Sequence, residues 1–209
     1  MPMNYPLKTL SWSNLLTYLS LLASLVGIQI IIETSEIVWV APFFLITALL
    51  DLLDGRFASL FERSKLEKEL GTQLDSFVDL IAFGVFPVVV AHCLFIDELS
   101  FLSLNFWFFE IAVSFYLLSL LSRLALYNLE SAGTDFFVGV PSTLMNVFWA
   151  VFYLFPTTAS LCGGLFLVLA LLMGAPIKIK RPDRRAMVLL ISIKSALLGF
   201  YLLNAFKVF

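Results

Sequence analysis

Seven long apolar runs constrain this chain more than any other feature of it. They lie near residues 14–32, 38–58, 74–96, 103–127, 140–155, 159–176 and 187–205. A membrane-spanning helix needs about 20 mainly apolar residues, each adding about 1.5 Å along the axis. The fifth and sixth runs are short and share the "FPTT" turn at Phe155. Spanning β-strands would alternate polar and apolar over about 10 residues. These runs are continuous instead, so the backbone groups must be satisfied inside helices. The expected fold is all-α: a polytopic integral membrane helical bundle forming a single membrane-embedded domain over residues 1–209. The first run carries no small-x-small cleavage pattern and is followed by further spans, so it is read as an uncleaved span and not a signal peptide.

Composition agrees with that class and excludes an ordinary soluble domain. The 209 residues are 61% hydrophobic and only 13% charged, with a mean hydropathy of +0.99. No internal repeat or long linker divides the chain, and no nucleic-acid partner is expected. Cys93 and Cys162 lie in apolar segments of different helices and are read as packing residues, not a disulfide.

The basic residues give an orientation. With the N-terminus in the cytoplasm, the inside segments hold Lys8, Arg56, Arg63, Lys65, Lys68, Arg123, Lys178, Lys180, Arg181, Arg184 and Arg185, which is 11 of the 13. The outside turns hold Glu33, Glu36, Asp97 and Glu98. This asymmetry is the positive-inside pattern. Trp12, Trp39 and Trp107 fall near the expected interfaces, as in aromatic belts. Only Lys194 and Lys207 depart from the pattern, and Lys194 is expected to snorkel to the inner interface.

Against this background, four aspartates in one stretch, "DLLDGRFASLFERSKLEKELGTQLDSFVDL", need an explanation. A charge near the middle of a bilayer costs roughly 2.5 to 3.5 kcal/mol even on insertion scales. Asp51 and Asp54 are spaced i, i+3 and Asp75 and Asp79 i, i+4, so each pair shares a helix face. Two consecutive antiparallel helices, joined by a loop of about a dozen residues, bring both pairs to similar depth near the cytoplasmic ends. Converging carboxylates repel unless cations sit between them, and hard oxygen ligands suit Mg²⁺, Mn²⁺ or Ca²⁺. Such a site is suited to holding a phosphate or pyrophosphate. Gly55 leaves room for a ligand beside the helix backbone, and Gly71 is read as a helix break ahead of Asp75. Cation or proton passage is the competing reading of intramembrane acids. Transport sites, however, lie near the midplane, and no acidic residues matching these four occur in the outer half. His92 and Glu110, in that half, are read as an interhelical hydrogen-bonded pair.

The same stretch resembles the signature of the CDP-alcohol phosphotransferase family, D-x-x-D-G-x-x-A-R-x8-G-x3-D-x3-D. Asp51, Asp54, Gly55, Ala58, Gly71, Asp75 and Asp79 match it in order. The motif arginine is replaced by Ser59, and 11 residues separate Ser59 from Gly71 where the pattern has eight. Arg56 and Arg63 are the candidates to replace that donor. Within the family, "SNLLT" from Ser13, "LDSFVDLIAFGVFP", "RLALYN" from Arg123 and "GVPSTLMN" from Gly139 resemble segments of bacterial and archaeal phosphatidylserine synthases over roughly residues 13 to 180. Leu126 occupies the place of a second family arginine.

The resemblance implies a six-helix core, here with a seventh helix, and a homodimer in the cytoplasmic membrane with its active site facing the cytoplasm. It implies CDP-diacylglycerol–serine O-phosphatidyltransferase activity: transfer of a phosphatidyl group from CDP-diacylglycerol to L-serine with release of CMP. Another acceptor alcohol, such as glycerol 3-phosphate or an inositol phosphate, and an inactive or transporting relative are the alternatives. By the same implication Asp51, Asp54, Asp75 and Asp79 hold Mg²⁺ or Mn²⁺, as two ions, and Asp79 is the catalytic base. Asp51, Asp54, Gly55, Ala58, Gly71 and Asp75 would line the CDP site, and Arg56, Arg63, Arg123, Asn128 and Ser142 would bind substrate or phosphate. The basic "KIKRPDRR" from Lys178 would fix topology or attract the anionic donor.

Overall fold

The structure is a computed structural model that describes residues 11–130, 136–153, 155, 157–180 and 183–205. Lys8, Arg181 and Lys207, and part of the loop expected near 129 to 138, lie outside the described residues.

Seven helical segments run back and forth among the described residues. Helix α1 is Leu15–Thr34, preceded by a short 3₁₀ turn at Trp12–Asn14, and α2 is Ile37–Ala58. Between them the chain reverses at Ser35, in the left-handed conformation with φ 54°, which closes the end of α1 onto Ile31 O. The third segment starts with α3, Lys65–Asp79, passes through a π-helical turn at Leu80–Val85, and continues as α4, Phe86–Leu94. Then follow α5, Leu104–Glu130, the short strand β1, Phe136–Val138, and α6, Ser142–Phe152. The chain finishes with α7, Ala159–Gly174, the strand β2, Lys178–Lys180, and α8, Arg184–Ala205. The protein is a polytopic helical membrane protein, with five segments among the described residues long and apolar enough to span a bilayer. The segments α6 and α7 are the short ones, as the sequence predicts.

Two expectations about the acidic stretch need correction. The connection between α2 and α3 is residues 59–64, about half the expected length, and α3 runs unbroken through Gly71. The reason is a capping box. Ser64 Oγ accepts from Glu67 N at 3.3 Å, while Glu67 Oε2 accepts from Ser64 N at 2.8 Å, so the helix is started nine residues before the apolar run. A single internal glycine costs about 1 kcal/mol, too little to stop a helix so anchored.

Helix α2 is the centre of the bundle, packing against α1, α6 and α8, while α5 pairs with α7. Rings fill the middle: Phe44 stacks on Phe86 with centroids 4.3 Å apart, and Trp149 lies 4.3 Å from Phe166. Large apolar side chains such as Leu22, Leu118, Leu171 and Leu189 point outward, as lipid-facing positions do. His92 Nε2 and Glu110 Oε1 meet at 3.1 Å across α4 and α5, the pairing expected of them. Cys93 is half-buried and Cys162 fully buried, and both are free.

Beyond helices, the chain forms one small antiparallel ribbon among the described residues, with Phe136, Phe137 and Val138 opposite Lys180, Ile179 and Lys178. It pins the start of α6 to the end of α7: Gly139 N donates to Ile177 O at 2.8 Å and Val140 N to Leu172 O at 3.2 Å. Strands of three residues leave too little alternation to be read from sequence.

Candidate active site

Helices α2 and α3 leave the residue 59–64 turn side by side and antiparallel, which sets their acidic faces against each other. One carboxylate oxygen each from Asp51, Asp54 and Asp75 lies within 4.8 Å of the others. Asp79, only 9% exposed, stands one turn deeper, with its carboxyl in hydrogen-bonding reach of Asp51, as that of Asp75 is of Asp54. Asp75 Oδ1 is buried with no hydrogen-bond partner. An all-oxygen donor set this close, including an acceptor deprived of water and of any protein donor, fits a hard divalent cation.

Beside the carboxylates opens a cleft of about 150 Å³. Asp54 and Asp75 form one wall, and Gly55 and Ala58 of α2 another. A Cβ placed on Gly55 would meet nothing within 4 Å, so the helix surface is open there. The lining also includes Gly71 and Thr72 of α3, Ser13 and Asn14 of the 3₁₀ turn, and Thr17 of α1. At Gly71 a side chain would come within 3.0 Å of Asn14 Oδ1 and 3.5 Å of an Arg63 guanidinium nitrogen. Gly71 therefore provides space, not a break.

The two arginines proposed for the missing motif position are separated by the structure. Arg63 lines the cleft and its buried Nε has no partner, whereas Arg56 is exposed and outside the lining. Ser59, in the motif position itself, turns its hydroxyl back to donate to Arg56 O at 2.6 Å and closes the last turn of α2. The residues inserted after Ser59 carry Arg63 back over the cleft.

The remaining predicted positions are arranged around α3. Arg123 of α5 is half-buried and its charge faces Asp79 and Asp51. Asn128, one helical face further, donates from Nδ2 to Ser76 Oγ at 2.8 Å and so ties α5 to α3 beside Asp75. Ser142 is buried at the first turn of α6 and does not line the cleft.

Lys194 corrects an expectation. It does not snorkel to an interface: the side chain is 2% exposed, and Nζ donates to Ala48 O at 2.8 Å with its charge facing Asp51. A carbonyl one turn before Asp51 and the carboxylate beyond it satisfy the ammonium within the bundle, so reaching for the interface would gain nothing. Sequence reasoning had the signal, since an intramembrane charge marks a site by default, but it could not supply a partner 146 positions away. Ser13, Asn14, Thr17 and Thr72 were also not singled out as site residues. The quoted "SNLLT" contains the first three, yet no spacing rule connects them to the aspartates.

Comparison with known proteins gives a consistent result. A family model described as CDP-alcohol phosphatidyltransferase matches residues 10–176. A CDP-diacylglycerol–serine O-phosphatidyltransferase of Saccharomyces cerevisiae is 37% identical over 93 residues, covering 44% of this chain and 30% of that protein. Proteins of the same name from Mycobacterium tuberculosis and Bacillus subtilis are 33% identical over 134 residues and 30% identical over 102. Those matches cover 61% and 48% of this chain, and 43% and 52% of the relatives. The chain thus spans about half, or less, of the length of the curated relatives it matches.

Proposed function

The chain belongs to the CDP-alcohol phosphatidyltransferase family, and on that premise we propose that it makes phosphatidylserine from CDP-diacylglycerol and L-serine, releasing CMP. The observation that carries the reading is the meeting of Asp51, Asp54 and Asp75 within 4.8 Å at the edge of a cleft that Arg63 overhangs. Serine as the acceptor is supported by the names of the relatives.

In this reading Asp51, Asp54, Asp75 and Asp79 hold Mg²⁺ or Mn²⁺. The ions supply neutralisation of the pyrophosphate and of the charge that develops on CMP as it leaves. The protein's own residues do the rest. Gly55, Ala58 and Gly71 leave space for the nucleotide against the two helices, and Arg63 donates to a donor phosphate. Asp79, screened from water, takes the proton from the serine hydroxyl. The freed oxygen attacks the phosphorus bonded to diacylglycerol, the bond from that phosphorus to the bridging oxygen breaks, and CMP departs with that oxygen. Arg123, facing Asp79 from α5, holds the serine carboxylate next to the base, with Asn128 and Ser142 bounding that side. Arg56, on the exposed rim, is left with a topological role.

The basic residues around the turn after α2 and before α8 support a site that faces the cytoplasm from the cytoplasmic membrane, as the positive-inside rule would have it. A homodimer completes the reading. The experiment that tests it supplies labelled L-serine and CDP-diacylglycerol to purified protein and analyses the extracted lipid. Label in a lipid of phosphatidylserine mass supports the proposal. An unlabelled lipid product formed only with another alcohol would reassign the acceptor, and no product with any alcohol would overturn the enzymatic reading.

A further inference from the structure

Directly after Asp79 the third segment widens into a π-helical turn, Leu80–Val85. Such a turn adds a residue to the coil and replaces the usual i, i+4 ladder with i, i+5 bonds, such as Phe86 N to Ile81 O, leaving some of its carbonyls open to outside donors. Two buried side chains supply them. Asn146 Nδ2 donates to Ala82 O at 2.9 Å, and the Tyr116 hydroxyl donates to Phe83 O at 2.5 Å. The widened backbone lies hard against α5, for a Cβ on Gly84 would come within 2.9 Å of Leu120 Cδ2. One extra residue rotates everything beyond it by about 100° relative to an uninterrupted α-helix. The turn therefore lets Asp75 and Asp79 face α2 while Phe83 and Phe86, further along, still face the core.

Asn146 does more than satisfy the π turn. Its Nδ2 also donates to Thr47 Oγ1 at 2.8 Å, and Thr47 is one helical turn before Asp51 on α2. The Thr47 hydroxyl proton is committed to Phe44 O at 2.9 Å, so the oxygen is left to accept and the amide nitrogen has to face it. Both side chains are 0% exposed. A single amide on α6 thus bridges the two acid-bearing helices, gripping one three residues after Asp79 and the other four residues before Asp51. Asp79 and Asp51 in turn lie in hydrogen-bonding reach of each other.

We propose that Asn146 is a positioning residue for the divalent-cation site: by holding the π turn open and tying it to Thr47, it sets Asp79 against Asp51. The inference rests on the proposed function, because it assumes that these carboxylates bind the ion. It makes a claim of its own about α6, a helix that contributes no carboxylate to the site.

The test is a Mn²⁺ titration of purified full-length protein in detergent, with free Mn²⁺ read by electron paramagnetic resonance and thermal unfolding followed on the same samples. Asn146→Leu keeps the bulk and removes both donated bonds. It is expected to weaken Mn²⁺ binding about tenfold, the lower end of what outer-shell partners of metal ligands contribute. Thr47→Val removes one of the two bonds and should weaken binding in the same direction by a smaller factor. Tyr201→Phe is the control, since it deletes another buried bond to α6, from the Tyr201 hydroxyl to Ala150 O, whose two partners lie on neither α2 nor α3. It should leave Mn²⁺ affinity unchanged. Wild-type affinity in Asn146→Leu, or an equal loss in Tyr201→Phe, would overturn the positioning role. If Asn146→Leu does not fold, unchanged affinity in Thr47→Val would overturn it as well. Absence of Mn²⁺ binding by the wild type would instead bring down the proposed function and this inference with it.

Discussion

Replacing Lys194 by Met tests whether the buried ammonium supports the acidic site or merely burdens it. Met matches the length of the stem but removes the charge and the 2.8 Å bond to Ala48 O. With the side chain 2% exposed, water cannot take over as donor. A hydrogen bond made by a charged group is worth about 1.5 to 3 kcal/mol, and the metal-free protein should lose about that much. Against this stands the desolvation of the ammonium, roughly 2.5 to 3.5 kcal/mol for an unpaired charge in a bilayer. The two terms are close, so the face-to-face placement with Asp51 decides the sign. The carboxylate repays the desolvation when Lys194 is present and is left without its countercharge when Lys194 is gone. The assay is thermal unfolding in detergent, with and without saturating Mn²⁺. Without metal, Lys194→Met should unfold about 3 to 12 °C below the wild type, taking 2 to 4 °C per kcal/mol for a chain of this size. With Mn²⁺ the gap should narrow, because the divalent ion compensates Asp51 in place of the ammonium. A variant as stable as the wild type, or more so, in the metal-free state would refute the reasoning and make Lys194 a cost that the fold tolerates.

Three further outcomes follow from the site and its supports. Asp79→Asn keeps shape and removes the proposed base, so CMP release should fall at least about a hundredfold, the low end of what general-base catalysis contributes; near-wild-type turnover would remove Asp79 from that role. Arg63→Ala should raise the KM for CDP-diacylglycerol about tenfold or more, the worth of a charged hydrogen bond, while Arg56→Ala leaves it unchanged; steady-state kinetics with varied donor would show equal effects if the separation of the two arginines were wrong. Gly139→Ala should be the most damaging glycine change. Gly139 has φ 76°, and a Cβ there would come within 2.1 Å of Met173 O, a backbone atom that cannot rotate away. A left-handed alanine alone costs about 1 to 2 kcal/mol, so the total loss should exceed 2 kcal/mol in a thermal-unfolding comparison with Gly164→Ala, where a Cβ meets nothing within 4 Å.

What the sequence shows and what it hides divide along a physical line. The spanning segments were legible because each is a continuous apolar run, and the membrane demands that such a run be helical. Asp51, Asp54 and Asp75 were legible because carboxylates at i, i+3 and i, i+4 on consecutive antiparallel helices have little choice but to converge. The start of α3 at Lys65 was missed because the turn that begins it is polar and is fixed by the Ser64 capping box, not by apolar periodicity. The π turn was invisible because its donors, Asn146 and Tyr116, come from helices tens of residues further on, and a one-residue insertion leaves the apolar run unbroken. Lys194 was misassigned for a related reason. Snorkelling is what an ammonium does alone in a helix, and only the packing of α8 on α2 gives it something better.

The account stands or falls on CMP release from purified protein given CDP-diacylglycerol and Mn²⁺, measured with L-serine, with glycerol 3-phosphate and with no alcohol. It predicts release with serine and none above background in the other two reactions. Release with glycerol 3-phosphate and not serine would contradict the acceptor, and silence in all three would contradict the enzyme.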